Sequence, residues 1–146
     1  MNQEEIKKIL PQREPMLMVD EILEIVRGES VIGYKKVKEN EFWADGHFPE
    51  NPVFPGVLLI EHMAQVTLFL AYREGGVSFK KVYLAKVDQI KFLTAVLPGM
   101  ELYTEVRKIS ETGSFIKVAA TVYIGQDRKK IAAAGKLTCY LETDME

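Results

Sequence analysis

The sequence predicts an α+β fold, a curved antiparallel sheet of about five or six strands wrapped around one long central helix. Two observations carry this. Ser114–Ile124 and Lys130–Glu142 alternate apolar and polar residues with period two, the pattern of strands with one face buried. Val57–Arg73 instead has apolar residues around nearly its whole circumference, from Val57, Leu58, Leu59 and Ile60 to Leu68, Phe69, Leu70 and Ala71. Such a helix is expected to be buried on all sides. A sheet closing around it has edges that need cover, and pairing with a second copy would supply it.

The other elements follow in order. Gln3–Leu10 reads as a short helix with Ile6, Ile9 and Leu10 on one face, stopped by Pro11. Met16–Val26 and Ser30–Val37 read as strands joined at Arg27-Gly28-Glu29. Between Gly46 and Gly56, Pro49, Pro52 and Pro55 preclude helix or central strand and stiffen the loop. Gly75-Gly76 ends the long helix. Lys81–Phe92 alternates poorly, which suggests a bulge near Asp88. Glu101–Arg107 alternates well, and Gly125-Gln126-Asp127 turns the chain between the last two strands. No repeat or linker divides residues 1–146, so one domain is expected.

Composition narrows the function. With 47 % apolar and 27 % charged residues, the chain has the balance of a soluble globular protein. Cys139 is the sole cysteine, so no intrachain disulfide can form, which suits a reducing compartment. Met1-Asn2-Gln3-Glu4-Glu5 lacks the basic start and apolar run of a signal peptide. Glu61, His62, Gln65 and Thr67 interrupt the longest apolar stretch, so no membrane span is expected, and the reading is cytoplasmic. A net charge of −2 argues against general nucleic-acid binding. An acidic partner would need a local basic patch. Lys80-Lys81 and Arg128-Lys129-Lys130 are the candidates, and each cluster also reads as solvated turn residues.

Three features suggest chemistry. His47 lies in the proline-stiffened loop between Gly46 and Phe48, a setting that suits a catalytic base as well as a structural imidazole. Glu61 interrupts the apolar helix. Burial there would favour its protonated form, able to act as a general acid. Its alternative role is to accept a structural hydrogen bond at a subunit interface. Gln65, at i+4, could orient it. Pro55, Gly56, Val57 and Leu58 supply no capping side chain, so the first N–H groups of the helix are free to meet developing negative charge, and Gly56 permits close approach. Metal ligation fits poorly, because Glu61-His62-Met63-Ala64-Gln65 lacks the second histidine of HExxH. No glycine-rich nucleotide loop or Gly-x-Ser-x-Gly elbow is present.

The stretch His47-Phe48-Pro49-Glu50-Asn51-Pro52-Val53-Phe54-Pro55-Gly56-Val57-Leu58-Leu59-Ile60-Glu61-His62-Met63-Ala64-Gln65 resembles the HFPxxPxxPGVLxxExxAQ signature of bacterial (3R)-hydroxyacyl-acyl carrier protein dehydratases of the FabZ type. Leu10–Asp20 is similar to their LPHRxPFLLVD segment, and Leu97-Pro98-Gly99 partly matches their VxPGD segment. The resemblance spans Leu10 to Leu141. It implies a hotdog fold, a homodimer often assembled into a hexamer as a trimer of dimers, and acyl carrier protein as the partner that presents the substrate. It also implies fatty acid synthesis without a cofactor. His47 would pair with Glu61 of the partner chain, and Gly56 N–H would bind the thioester carbonyl. The Val53 carbonyl would hold the His47 ring. Phe48, Val57 and Gln65 would border the substrate.

Several positions depart from that pattern. Gln12 stands for the usual histidine and Glu14 for an aromatic. Leu93-Thr94-Ala95 replaces a basic residue, arginine and proline, Met100 replaces aspartate, and His62 replaces a small residue. His62 points about 100° around the helix from Glu61, so it is read as structural or interfacial. Competing readings are a hotdog thioesterase, a hydratase on coenzyme A thioesters, a dehydratase–isomerase, and an inactive acyl-binding subunit. Glu61, where the related isomerases usually carry aspartate, favours the trans-2-enoyl product without isomerisation.

Overall fold

The Asn2 side chain accepts a hydrogen bond from Glu5 N–H and the Glu5 carboxylate accepts one from Asn2 N–H, a capping box that starts helix α1 (Gln3–Lys7). The computed structural model describes residues 1–46, 50–74 and 76–144. Helix α1 is shorter than expected, yet Ile6, Ile9 and Leu10 are all buried as its apolar face requires.

The expected strand over Met16–Val26 forms only as β1 (Glu21–Val26). Upstream of it Leu17, Met18 and Val19 are buried in succession, so the period-two pattern fails there. Their backbone is also bonded elsewhere: Leu17 N–H donates to Arg13 C=O and Met18 N–H to the Gln65 side chain. Five further strands follow: β2 (Ser30–Lys36), β3 (Phe79–Phe92), β4 (Glu101–Thr112), β5 (Phe115–Ile124) and β6 (Lys130–Thr143). They form one antiparallel sheet in the order β1-β2-β4-β5-β6-β3. The register of β3 slips between Asp88 and Lys91, where a bulge was expected, and also near Phe79 and near Leu84.

The long helix divides into α2 (Gly56–Thr67) and a 3-10 turn (Leu68–Ala71). Thr67 Oγ1 donates to Met63 C=O at 2.8 Å, a local bond that competes with continuation of the helix. Helix α2 lies against β2, β4, β5 and β6, whose inward residues include Val31, Leu102, Val106, Val118, Val122 and Leu137. At Gly33 the approach is so close that a methyl group would stand 2.7 Å from Val66 Cγ2. The expectation that the helix is buried all round is met only on this side. Val57 is 73 % exposed, and Ile60, Glu61 and Ala64 are half-buried. The sheet curls around one side of α2 and leaves that stripe uncovered.

The two sheet edges differ. Strand β1 is short and paired at Ile22 with Met1, whose N–H and C=O both engage it. Strand β3 is long and exposes Tyr83, Leu84, Val87 and Phe92.

Candidate active site

Helix α2 places Glu61 and Gln65 one turn apart on one face. Gln65 Nε2 donates to Glu61 Oε2 at 2.8 Å and to Met16 C=O at 2.7 Å, and its oxygen accepts from Met18 N–H at 2.8 Å. Both amide hydrogens are therefore engaged. The residue expected to border the substrate is fully buried and holds the Glu61 carboxyl in one orientation. Glu61 opens into a cavity of about 210 Å³ shared with Gln12, Ala64, Leu68, Val82, Tyr83, Leu84 and Cys139.

His62, the next residue, faces the other way. It is completely buried, with Nδ1 2.7 Å from Met18 C=O and Nε2 2.7 Å from Thr104 Oγ1. Nδ1 must donate, since a carbonyl only accepts, so Nε2 accepts from the threonine hydroxyl. Burial pulls its pKa down to about 4. His62 thus pins the Met16–Met18 segment to the helix from a second side.

The N-terminus of α2 has Pro55 as its cap residue and no capping side chain, so the Gly56 and Val57 N–H groups face outward. Gly56 borders a cleft of about 340 Å³ with Val53, Phe54, Leu59 and the Phe92–Val96 turn. A methyl group on Gly56 would stand 3.0 Å from the Phe92 ring, so only glycine leaves this N–H approachable without displacing the ring. The chain leading into the helix is fixed by Phe54. Its N–H donates to Val96 C=O at 2.8 Å, and its ring meets Trp43 edge-on at 5.1 Å. Lys35, itself buried, pairs with Glu41 at 3.1 Å just before Trp43. His47 and Phe48 lie outside the described residues. Among the described residues no cluster of three His, Cys, Asp or Glu side chains could hold a metal ion.

The FabA-like domain matches residues 10–135, a span that includes α2 and all of the loop before it. The chain belongs to the FabA-like family. Relatives in this family include the 3-hydroxyacyl-[acyl-carrier-protein] dehydratase FabZ of Clostridium botulinum (strain Loch Maree / Type A3), 42 % identical over 132 residues that cover 89 % of each chain. The enzyme of the same name from Geobacter metallireducens is 50 % identical over 104 residues, covering 70 % of this chain and 69 % of the relative. Among solved structures, one described as the dehydratase heterocomplex ApeI:P from Xenorhabdus doucetiae matches with a TM-score of 0.78. It covers 97 % of this chain and 93 % of that one at 15 % identity. A hypothetical thioesterase with coenzyme A from Streptococcus pneumoniae matches with a TM-score of 0.61 at 14 % identity, covering 84 % and 85 %. These two likenesses establish the hotdog fold.

Set in the FabA-like fold, some expected residues come together and others do not. Glu61, Gln65 and Gly56 share one helix, with Glu61 reaching back toward its N-terminus as helical side chains do. The five basic residues do not form one patch. Strand β6 begins at Lys130 and ends beside Lys81, which pairs with Glu142, so the two clusters sit at opposite ends of the sheet. Lys80 is further engaged with Glu142, and Arg128 lies over the Tyr123 ring. Gln12, Cys139 and Phe92 were not singled out as site residues. Only the departure at Gln12 hinted at its place; a polar residue beside Pro11 otherwise reads as loop.

Proposed function

We infer that this chain dehydrates (3R)-hydroxyacyl groups on acyl carrier protein to trans-2-enoyl groups in fatty acid biosynthesis. What carries the reading is Glu61. A carboxyl group oriented by a buried glutamine opens into a cavity on the helix whose uncapped N-terminus borders a cleft. Among family members named as dehydratases, the likeness covers most of the chain.

The reaction needs a base for the α-proton, a donor of positive charge for the thioester oxygen, and an acid for the hydroxyl. His47 takes the α-proton. Gly56 N–H and the helix dipole stabilise the enolate-like oxygen. Protonated Glu61 delivers its proton to the departing hydroxyl, and water leaves. Residues 1–146 act as one domain, and no cofactor takes part.

The bare edge at β3 and the open stripe on α2 are the surfaces a second copy would cover, bringing the partner's His47 to Glu61. In this reading the homodimer is the functional unit, and three dimers build the hexamer. Antiparallel pairing of two β3 edges would also carry the partner's Lys80 and Lys81 back toward Arg128, Lys129 and Lys130. That restores one basic surface for the acidic carrier near the Gly56 cleft. Among the described residues no helix is long and apolar enough to cross a membrane, and a cytoplasmic site of action suits the substrate.

The test is incubation of the pure protein with 3-hydroxyacyl carrier substrates of several lengths, followed by chromatography. Accumulation of trans-2-enoyl carrier is expected. Free thiol would point to a thioesterase, and a substantial cis-3 fraction to a dehydratase–isomerase.

A further inference from the structure

The cavity beside Glu61 contains a group whose hydrogen bonding is incomplete. The amide oxygen of Gln12 is buried and, among the described residues, has no hydrogen-bond partner. Leaving a buried acceptor without a donor is costly and rare, so this oxygen calls for a donor from outside the chain. Its surroundings indicate which one. Gln12 and Glu61 line the same cavity, with Ala64, Leu68, Val82 and Leu84 as its apolar walls. Tyr83 and Cys139 complete the lining. Glu61 has Oε2 tied to Gln65, and among the described residues it makes no other hydrogen bond. A ligand here would therefore meet two acceptor-bearing groups, one carboxyl and one amide.

The relative position of those two groups is not accidental. Gln65 grips Met16 C=O and Met18 N–H, and His62 grips Met18 C=O. Three hydrogen bonds from α2 thus hold the segment that carries Gln12 against the helix that carries Glu61.

We propose that the Gln12 amide oxygen accepts the hydrogen of the substrate's 3-hydroxyl group, so that Gln12 and Glu61 hold the leaving oxygen from two sides. This rests on the dehydratase reading. In the elimination His47 takes the α-proton, and the electron pair of that C–H bond becomes the new C2–C3 double bond. The C3–O bond breaks with its electron pair on oxygen, which takes a proton from the Glu61 carboxyl and leaves as water. The hydrogen already on that oxygen stays bonded to it and donates a hydrogen bond to the Gln12 amide oxygen throughout. Holding it turns an oxygen lone pair toward the Glu61 proton. In the hydration direction Gln12 holds the water hydrogen that is not transferred, while Glu61 receives the other. The proton gained by His47 and the one lost by Glu61 balance over a cycle. Gln12 is then a substrate-positioning residue that reads the hydroxyl. A site built around such a hydrogen bond discriminates against ligands that lack the group.

The test compares two ligands on Gln12→Met, a variant of similar size without a strong acceptor. For the 3-hydroxyacyl carrier substrate, kcat/KM is expected to fall about tenfold. The inhibition constant of the matching saturated acyl carrier, which lacks the 3-hydroxyl, is expected to stay within about twofold of wild type, because it never used the bond. A structural role for Gln12 would weaken both ligands together. That result, or an unchanged kcat/KM, overturns the proposal. If thermal unfolding shows Gln12→Met to be unfolded, Gln12→Asn is measured with the same two ligands, since it draws the oxygen back by one methylene, and the same outcomes decide. Failure of the wild-type protein to dehydrate the substrate overturns the dehydratase reading itself. Wild-type turnover matched by Gln12→Met overturns only the role of Gln12.

Discussion

Helix α2 has two faces that share a backbone and little else. Leu59, His62, Met63 and Val66 are buried. Gly56, Val57, Ile60, Glu61 and Ala64 are exposed or half-buried on the stripe the sheet leaves open. Glu61 and His62 are consecutive, yet a helix turns about 100° per residue and sends them into opposite surroundings. His62 has both ring nitrogens engaged inside the protein. Glu61 has one oxygen braced and a cavity in front of it. A polar group on the covered face must be satisfied from within and becomes structural, whereas one on the open face is held at one side and free to react at the other.

That contrast is best broken by exchanging the two outcomes. Glu61→Gln should lower turnover by about 10² or more while the melting temperature stays close to wild type, since a proton-transfer group is lost from an incompletely buried position. His47→Ala should do the same. If each site draws one group from each chain, co-expressed His47→Ala and Glu61→Gln subunits should recover activity in mixed dimers, as native mass spectrometry and turnover of the same sample would establish. Recovery absent from confirmed mixed dimers would place both groups on one chain.

On the covered face the losses should appear as stability. His62→Ala removes a packed side chain and two buried hydrogen bonds, and chemical denaturation should register a loss of about 3 kcal/mol. The ring also makes stability depend on pH in a defined direction. Folding lowers its pKa from 6.5 to about 4, so the unfolded chain binds the proton first. Its contribution is fully present above pH 6.5 and is lost as pH falls toward about 4, by up to about 3 kcal/mol. Denaturation midpoints of wild type and His62→Gln measured across this window should diverge at its top and converge toward its bottom. The smallest contrast concerns two glycines. Gly33→Ala pushes a methyl into Val66 on the covered face and should cost about 1–3 kcal/mol. Gly56→Ala meets the Phe92 ring, which is 52 % exposed and can move, so its penalty should appear in kcat/KM more than in the unfolding midpoint.

The period-two runs translated directly into β5 and β6, because alternation is a local property of a half-buried strand. The bulge near Asp88 was legible for the same reason, as a break in that pattern. Gln65 bracing Glu61 was legible from the i, i+4 spacing alone. What escaped depends on contacts distant in sequence. Met16–Asp20 has the composition of a strand, but Gln65 and His62 claim its backbone. Hydropathy marked α2 as apolar all round without saying which side the sheet would cover. The sequence offers two basic clusters without their spacing, and the pairing of β3 with β6 sets them at opposite ends. Gln12 escaped for a further reason: an unpaired buried oxygen is a fact of three dimensions, with no signature in the chain.

Cys139 borders the same cavity as Glu61. A thiolate in that place would be a hazard to the substrate class proposed here, since thiolates attack thioesters and would move the acyl group from its carrier onto the protein. Burial pushes the Cys139 pKa up to about 12. At neutral pH only about one thiol in 10⁵ is ionised. The sulfur therefore serves as a small apolar wall. The cavity that hosts acid chemistry at Glu61 thus keeps its one sulfur from acyl exchange by burial, a chemoselectivity set by the wall beside the acid.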